Sequence, residues 1–205
     1  DEEVIALAPC RDFLAEAGAR LVCAPADVIS WVVDKLAVTR AVADAGVPVP
    51  LTCGLVENYP ELTFPVIVRP RTGRSGKGVV FFDDLVSLKA YRDALGAAAE
   101  SHFVQECVEF FPGNLYMAQA IFDDAQQQKA VFASRSIRTA YDWGGPALGG
   151  VPVRNQRLAE LASQIFQATG PWFGPVNTEF LYDTAREEFI FLEVNPRYWG
   201  YSYLA

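Results

Sequence analysis

Glu179, Glu193 and Asn195 carry hard oxygen ligands at a spacing that suits a divalent cation. They lie in the segment Asn177-Thr-Glu179-Phe-Leu-Tyr-Asp183-Thr-Ala-Arg186-Glu-Glu-Phe189-Ile-Phe-Leu-Glu193-Val-Asn195-Pro-Arg197, in which two apolar stretches flank a polar centre, the pattern of a β-hairpin. If the hairpin turns around Arg186 with Asp183 opposite Phe189, Glu179 sits across from Glu193, and Asn195 shares their face. Phe180, Tyr182, Ile190, Leu192 and Val194 then form the core-facing side. Like charges facing each other across strands destabilise the pair unless a cation or a proton lies between them. Two carboxylates plus an amide carbonyl suit Mg2+ bridging nucleotide phosphates. A solvated strand face, with both glutamates pointing to water, is the competing reading and would be preferred for a lone pair. The added Asn195-Pro196-Arg197, which places a cation just past the carboxylates, reverses that preference.

A second cluster is basic. Arg69-Pro70-Arg71-Thr72-Gly73-Arg74-Ser75-Gly76-Lys77-Gly78 joins two β-rich stretches. Glycines let backbone N–H groups approach phosphates closely while Lys and Arg neutralise charge. It is not a Walker A loop, because Gly78 and a strand follow Lys77 where that motif needs Ser or Thr and a helix. On these residues alone a hairpin loop with a solvated basic tip is an equal reading. A basic glycine loop in a chain of net charge −8 favours an anion site.

The 205 residues, 51% hydrophobic and 20% charged, make a packed globular chain able to bury a core without staples. The net charge of −8 argues against nucleic acid or an anionic membrane as partner. No apolar run reaches membrane-spanning length and no secretory signal opens the sequence, so cytoplasm is the expected compartment. A single histidine, His102, disfavours multi-histidine zinc sites and a Ser-His-Asp triad. Cys10, Cys23, Cys53 and Cys107 form no CxxC pair and read as scattered thiols.

Periodicity and punctuation place a helix at 12–19, a short buried strand at Arg20–Ala24, and a helix from Asp34 to Ala45 stopped by Gly46. Strands follow at 64–69 and 79–82, then a helix at 85–98 and a strand at 103–108. An antiparallel pair is expected at 115–122 and 129–134, a glycine-rich loop at 142–150, a helix at 154–169, and the final hairpin at 176–182 and 189–194. The class is α+β with mostly antiparallel sheets. The first 34 residues look like the last helix and strand of an α/β unit, which suggests a trimmed fragment.

Collinear pieces identify a resemblance. Asp34-Lys35 is followed by Gly46-Val-Pro-Val-Pro50, Phe64-Pro-Val-Ile-Val-Arg69-Pro70 and Gly73-Arg-Ser-Gly-Lys-Gly78; then come Val104-Gln-Glu106, Pro112-Gly113 and Glu193-Val-Asn-Pro-Arg197-Tyr-Trp-Gly200. In this order they resemble the ATP-grasp superfamily, closest to carbamoyl-phosphate-synthetase-like ligases. The resemblance implies a two-lobed fold gripping ATP over residues 35–205, with a small lobe at about 54–106 and a large lobe at about 107–205, behind a Rossmann-like remnant at 1–34. It implies a C-terminal truncation, since relatives continue into a further helix. Lys35 and Arg69 would meet the nucleotide phosphates, Gly73, Arg74, Ser75, Gly76, Lys77 and Gly78 would form the lid, and Gln105, Glu106, Cys107, Val108 and Glu109 the hinge at adenine. Glu179, Glu193 and Asn195 would bind two Mg2+ ions, with Mn2+ an acceptable replacement. Arg197 would sit at the transferred phosphoryl group, and Arg135 and Arg138 at the acceptor anion. Relatives often carry an acidic residue for the ribose where Leu115 stands, so that contact falls to Glu109 or is lost. The implied activity is a Mg- and ATP-dependent ligase that activates a small-molecule carboxylate as an acyl phosphate for attack by an amine or similar nucleophile. A non-catalytic nucleotide-binding or regulatory module of the same fold is the alternative.

Overall fold

A computed structural model describes residues 2–59, 62–73, 76–141 and 144–198. The chain opens with α1 (Glu2–Leu7), a 3-10 turn (Ala8–Cys10), α2 (Arg11–Glu16) and α3 (Ala26–Val32), followed by α4 (Lys35–Asp44). Asp34 caps α4 by accepting from the Ala37 N–H at 3.2 Å, and Gly46, at φ +80°, ends it.

The strand expected at Arg20–Ala24 does not form. The Arg11 guanidinium takes the carbonyls of Leu21 (3.0 Å), Cys23 (2.5 Å) and Ala24 (3.0 Å), groups that a strand would offer to a neighbour. The segment ahead of Asp34 is therefore helical and irregular rather than α/β, and its Cys23, Ala24, Ile29 and Val32 join the core of the larger sheet.

The smaller sheet has four strands, β1 (Thr52–Gly54), β2 (Val66–Pro70), β3 (Val80–Phe82) and β4 (His102–Glu106), in the order β1-β4-β2-β3 with every pairing antiparallel. Helix α5 (Leu85–Leu95), capped by Asp84, buries Leu88 against Val66, Val68 and Val104. The larger sheet contains β5 (Leu115–Phe122), β6 (Gln128–Tyr141), β7 (Gly144–Pro152), β8 (Gly174–Asp183) and β9 (Glu188–Asn195), ordered β7-β6-β5-β8-β9 and antiparallel throughout. One of its faces packs on α6 (Gln156–Thr169), whose Leu158, Leu161, Ala162 and Ile165 meet Val176, Phe180 and Phe191, and on α3 and α4. This is the expected α+β architecture of two mainly antiparallel sheets. No helix among the described residues is long and apolar enough to cross a membrane.

Several elements differ from the sequence reading. The stretch taken as a glycine loop at 142–150 contains β7, and β6 runs on to Tyr141 to pair with it through three register shifts. Glycine is needed in that strand for space: a Cβ on Gly145 would lie 2.6 Å from the Tyr141 ring. β1 and α3, both short, carry no periodicity of their own and were not expected.

Candidate functional site

The free face of the larger sheet and the smaller sheet enclose a cleft of about 640 Å3. On the larger sheet Glu179 is the direct cross-strand partner of Glu193, and Asn177 of Asn195. The route to that register is not the expected one. The turn pairs Asp183 with Glu188 rather than Phe189, and this offset holds as far as Phe180 opposite Phe191. A bulge at Leu192 then adds one residue to β9 and brings Glu193 opposite Glu179. The core face is consequently Phe180, Phe189, Phe191 and Val194, while Leu192 lines the cleft beside Leu181. Ile190, opposite Leu181, is likewise off the core face to which the sequence reading assigned it.

Asn195 Nδ2 donates to Glu179 Oε1 (3.2 Å) and to Glu193 Oε1 (3.1 Å), so one amide bridges both carboxylates. Asn177 Nδ2 donates to Glu179 Oε1 at 3.3 Å. Burial, and then the Glu193 charge, push the Glu179 carboxyl up to about 7. Burial acts most strongly against the Glu193 carboxylate, but Lys35, Arg69, the Asn195 hydrogen bond and Arg197 together hold that group below its usual range. The pair therefore shares its site with one carboxylate favoured as the anion and the other favoured as the acid near neutrality.

The opposing cations come from the first half of the chain. Arg69 Nη2 lies 3.4 Å and Lys35 Nζ 3.9 Å from Glu193 Oε2. Both side chains are largely buried, and burial lowers the Lys35 pKa although Glu193 opposes that shift. Arg69 is aimed by Gln105, whose Oε1 accepts from Nη1 at 3.2 Å while its Nε2 donates to Thr52 Oγ1 at 3.1 Å. The guanidinium also stacks over Phe103, 5.7 Å from its centroid. Lys35 Nζ donates to the Gly73 carbonyl at 2.5 Å, and the Lys35 N–H to the Arg71 carbonyl at 2.8 Å. Asp34 pairs with the Arg71 guanidinium, so the start of α4 is tied to the strand carrying Arg69.

The remaining expected residues divide. Arg197 lines the cleft, and its charge lowers the pKa of both glutamates. Gly76 lines it as well, whereas Lys77 is exposed on the turn, and Arg74 and Ser75 lie outside the described residues, as does Trp199. Gly78, at φ +78°, approaches Pro70 so closely that a Cβ would lie 2.9 Å from its ring. Gln105, Glu106, Cys107, Val108 and Glu109 all line the cleft. Gln105 acts through its side chain rather than its backbone, and Glu106 receives Arg186 from the β8–β9 turn. The N–H groups of Glu106 and Cys107 are spent on the carbonyls of Leu51 and Pro65.

Arg135 and Arg138 are not brought to the cleft wall. Ser134 and Ser136 are buried on the cleft side of β6, and alternation turns Arg135 to the other face, toward the Gly113 turn; Arg138 follows a register shift and is exposed. Phe81 and Phe110 also line the cleft, with Phe81 54% exposed. Asn177 was not singled out, although its place two residues before Glu179 already puts it on the same face.

The donor set fits a bound cation. Asn177 Oδ1 is buried with no hydrogen-bond partner, and leaving such an acceptor unmet costs about 1–3 kcal/mol. With its Nδ2 on Glu179, that oxygen remains available, while of the two carboxylates bridged by Asn195 the outer oxygen of Glu193 already meets Arg69 and Lys35. Such an arrangement lacks positive charge between its oxygens, and Lys35 and Arg69 reach only the Glu193 side.

The profile of a family described as ATP-grasp domain matches residues 32–201. No curated protein sequence matches the chain. Solved structures do. Biotin carboxylase from Campylobacter jejuni, in a complex with β-γ-ATP, superposes with a TM-score of 0.74 at 19% identity over 98% of this chain and 48% of that one. The biotin carboxylase domain of Hydrogenobacter thermophilus 2-oxoglutarate carboxylase, in complex with MgADP, ADP and bicarbonate, gives 0.71 at 16% identity over 96% and 47%. D-alanine–D-alanine ligase from Bacillus anthracis, complexed with ATP, gives 0.62 at 14% identity over 91% and 62%. The chain thus spans roughly half of the first two proteins and three-fifths of the third.

Proposed function

Because the chain belongs to the ATP-grasp family, we propose that its cleft binds ATP with Mg2+ and activates a small-molecule carboxylate as an acyl phosphate for attack by an amine or similar nucleophile. The observation that carries this reading is the meeting of the amide-bridged Glu179–Glu193 pair with Lys35 and Arg69 at one end of an otherwise apolar cleft. A triphosphate needs cations along its length and a divalent ion between its oxygens, and this end carries two cations beside oxygen ligands suited to such an ion.

Glu179, Glu193 and Asn195 would hold Mg2+, which supplies charge neutralisation between phosphate oxygens when bound. Asn195 would turn its amide so that Oδ1 replaces Nδ2 toward the ion. Lys35 and Arg69 would exchange Glu193 for phosphate oxygens, Gln105 keeping the Arg69 fork in plane. The Gly73–Gly78 turn, with Arg74, Ser75 and Lys77, would close over the phosphates. Ile67, Val79, Met117 and Leu192 would exclude water around the base, with Val108 at the centre of the hinge and Glu109 nearest the ribose.

The carboxylate oxygen of the acid attacks the γ-phosphorus, the bond to the β–γ bridging oxygen breaks, and ADP departs. An amine then adds to the acyl carbon and inorganic phosphate leaves. Arg197 would stabilise the moving phosphoryl charge. Arg135 faces away from the cleft, so the acid's anionic end falls to Arg197 before either β6 arginine. Hydroxylamine trapping tests this reading: with an acid that stimulates Mg-dependent ADP release, a hydroxamate should accumulate. Tight ATP binding with no hydroxamate from any carboxylic or amino acid would favour the non-catalytic module instead.

A further inference from the structure

Two residues from the carboxylates, the larger-sheet wall of the cleft turns apolar. Leu181 follows Glu179 on the same face of β8, about 7 Å along the strand, and its cross-strand partner on β5 is Leu115. Met117, opposite Glu179, and the bulged Leu192 complete this stretch. It runs toward the 105–109 segment, since the Tyr182 N–H donates to the Asn114 carbonyl and Asn114 Nδ2 to the Glu109 carbonyl at 2.9 Å. The polar groups beside it are already engaged. Gln105 holds Arg69 and Thr52, and Glu106 holds Arg186 and the Leu51 N–H. Asn114, next to Leu115, spends its amide on the Phe111 N–H and on the Glu109 and Tyr182 carbonyls. Between the ionic end and the hinge, the Glu109 carboxylate is the polar side chain left among the described cleft residues, and Glu109 is exposed.

We propose that this site does not read the sugar hydroxyls of its nucleotide, and that Leu115 sets this tolerance, so that 2′-deoxy- and 3′-deoxynucleoside triphosphates bind as well as ribonucleotides. The inference rests on the reading of the cleft as an ATP site. With the triphosphate at the ionic end and the base at the hinge, the pentose comes against Leu115 and Leu181. A leucine side chain offers a hydroxyl no partner, so a hydrogen bond given up to water is not recovered there. A bond to the exposed Glu109 would only replace one that the hydroxyl already makes with water. A site built to bond a hydroxyl with a buried group would instead leave that group unpaired beside a deoxy ligand and reject it strongly.

Titration calorimetry of the chain with Mg2+ and ATP, 2′-deoxy-ATP or 3′-deoxy-ATP reads binding without turnover. The three dissociation constants are expected to agree within about threefold, in the wild type and in Glu109→Gln alike. Leu115→Gln, which puts an amide on the apolar wall, should bind ATP about fivefold more tightly than at least one deoxy form. If that variant does not fold, the wild-type ratios still decide. A wild-type preference for ATP above about threefold over either deoxy form would overturn the inference while leaving the ATP site standing. A folded Leu115→Gln that binds ATP and still treats the three alike would overturn the role of Leu115. Binding of none of the three would overturn the ATP reading and this inference with it.

Discussion

On the larger sheet Asn177, Glu179, Glu193 and Asn195 project from the interior of paired strands and are locked to one another by hydrogen bonds of 3.1–3.3 Å. On the opposite wall Lys35 stands at the first turn of a helix and Arg69 at the penultimate residue of a strand, with Lys35 Nζ donating to the carbonyl of Gly73 just beyond that strand. The anionic side chains stand within paired strands and carry their own repulsion, while the cations are hung from element ends. The two walls therefore predict different responses to substitution.

Glu193→Gln should break the anionic wall as a metal site, lowering Mg-dependent ATP turnover by about 10³-fold while the fold survives. Steady-state kinetics beside a thermal melt check both halves of that outcome. Lys35→Met should lower kcat/KM for ATP by about 10²-fold, and excess Mg2+ should not restore it if, as proposed, the cationic wall serves phosphate rather than metal. A sharper contrast comes from pH. Folding raises the Glu179 pKa from 4.5 to about 7, so the folded protein holds that proton more tightly than the unfolded chain. Stability of the metal-free protein should therefore fall as pH rises from 4.5 to 7 and stay low above it, by about 3 kcal/mol. Mg2+ affinity should move the other way, rising about tenfold per unit until pH 7. Glu179→Gln should flatten the metal-free melting curve and raise Tm at pH 8, even as Mg2+ no longer stabilises. The smallest effect belongs to Arg135→Ala, which should change turnover less than about twofold, since its side chain lies on the far face of β6.

The sequence showed the chemistry of both walls more clearly than their construction. Glu179, Glu193 and Asn195 were readable because period-2 alternation needs only the order of side chains along two strands. Their facing register was inferred from a turn one residue out of place, and the bulge at Leu192 supplied the compensating residue. No local signal announces such a bulge, since Leu192 is apolar like its neighbours. The Arg20–Ala24 stretch has the apolar content of a strand, but a distant Arg11 claims its carbonyls, a tertiary contact invisible in a window of five residues. β7 was hidden for the opposite reason: its glycines look like loop, yet they serve a strand lying against Tyr141 and Ile137. Asn177 was legible by the same alternation that found Glu179.

The extra residue in β9 uncouples two lengths that a straight ribbon would tie together. Between the β8–β9 turn and Glu193 the chain has one position without a partner across the ladder, Leu192, and its loss would leave every other pairing unchanged. Deleting Leu192 alone would therefore be milder than shortening the loop at 184–187 by one residue: Glu193 would follow Phe191 directly and still face Glu179, whereas a residue lost from the loop would shift the pairing of the whole ribbon.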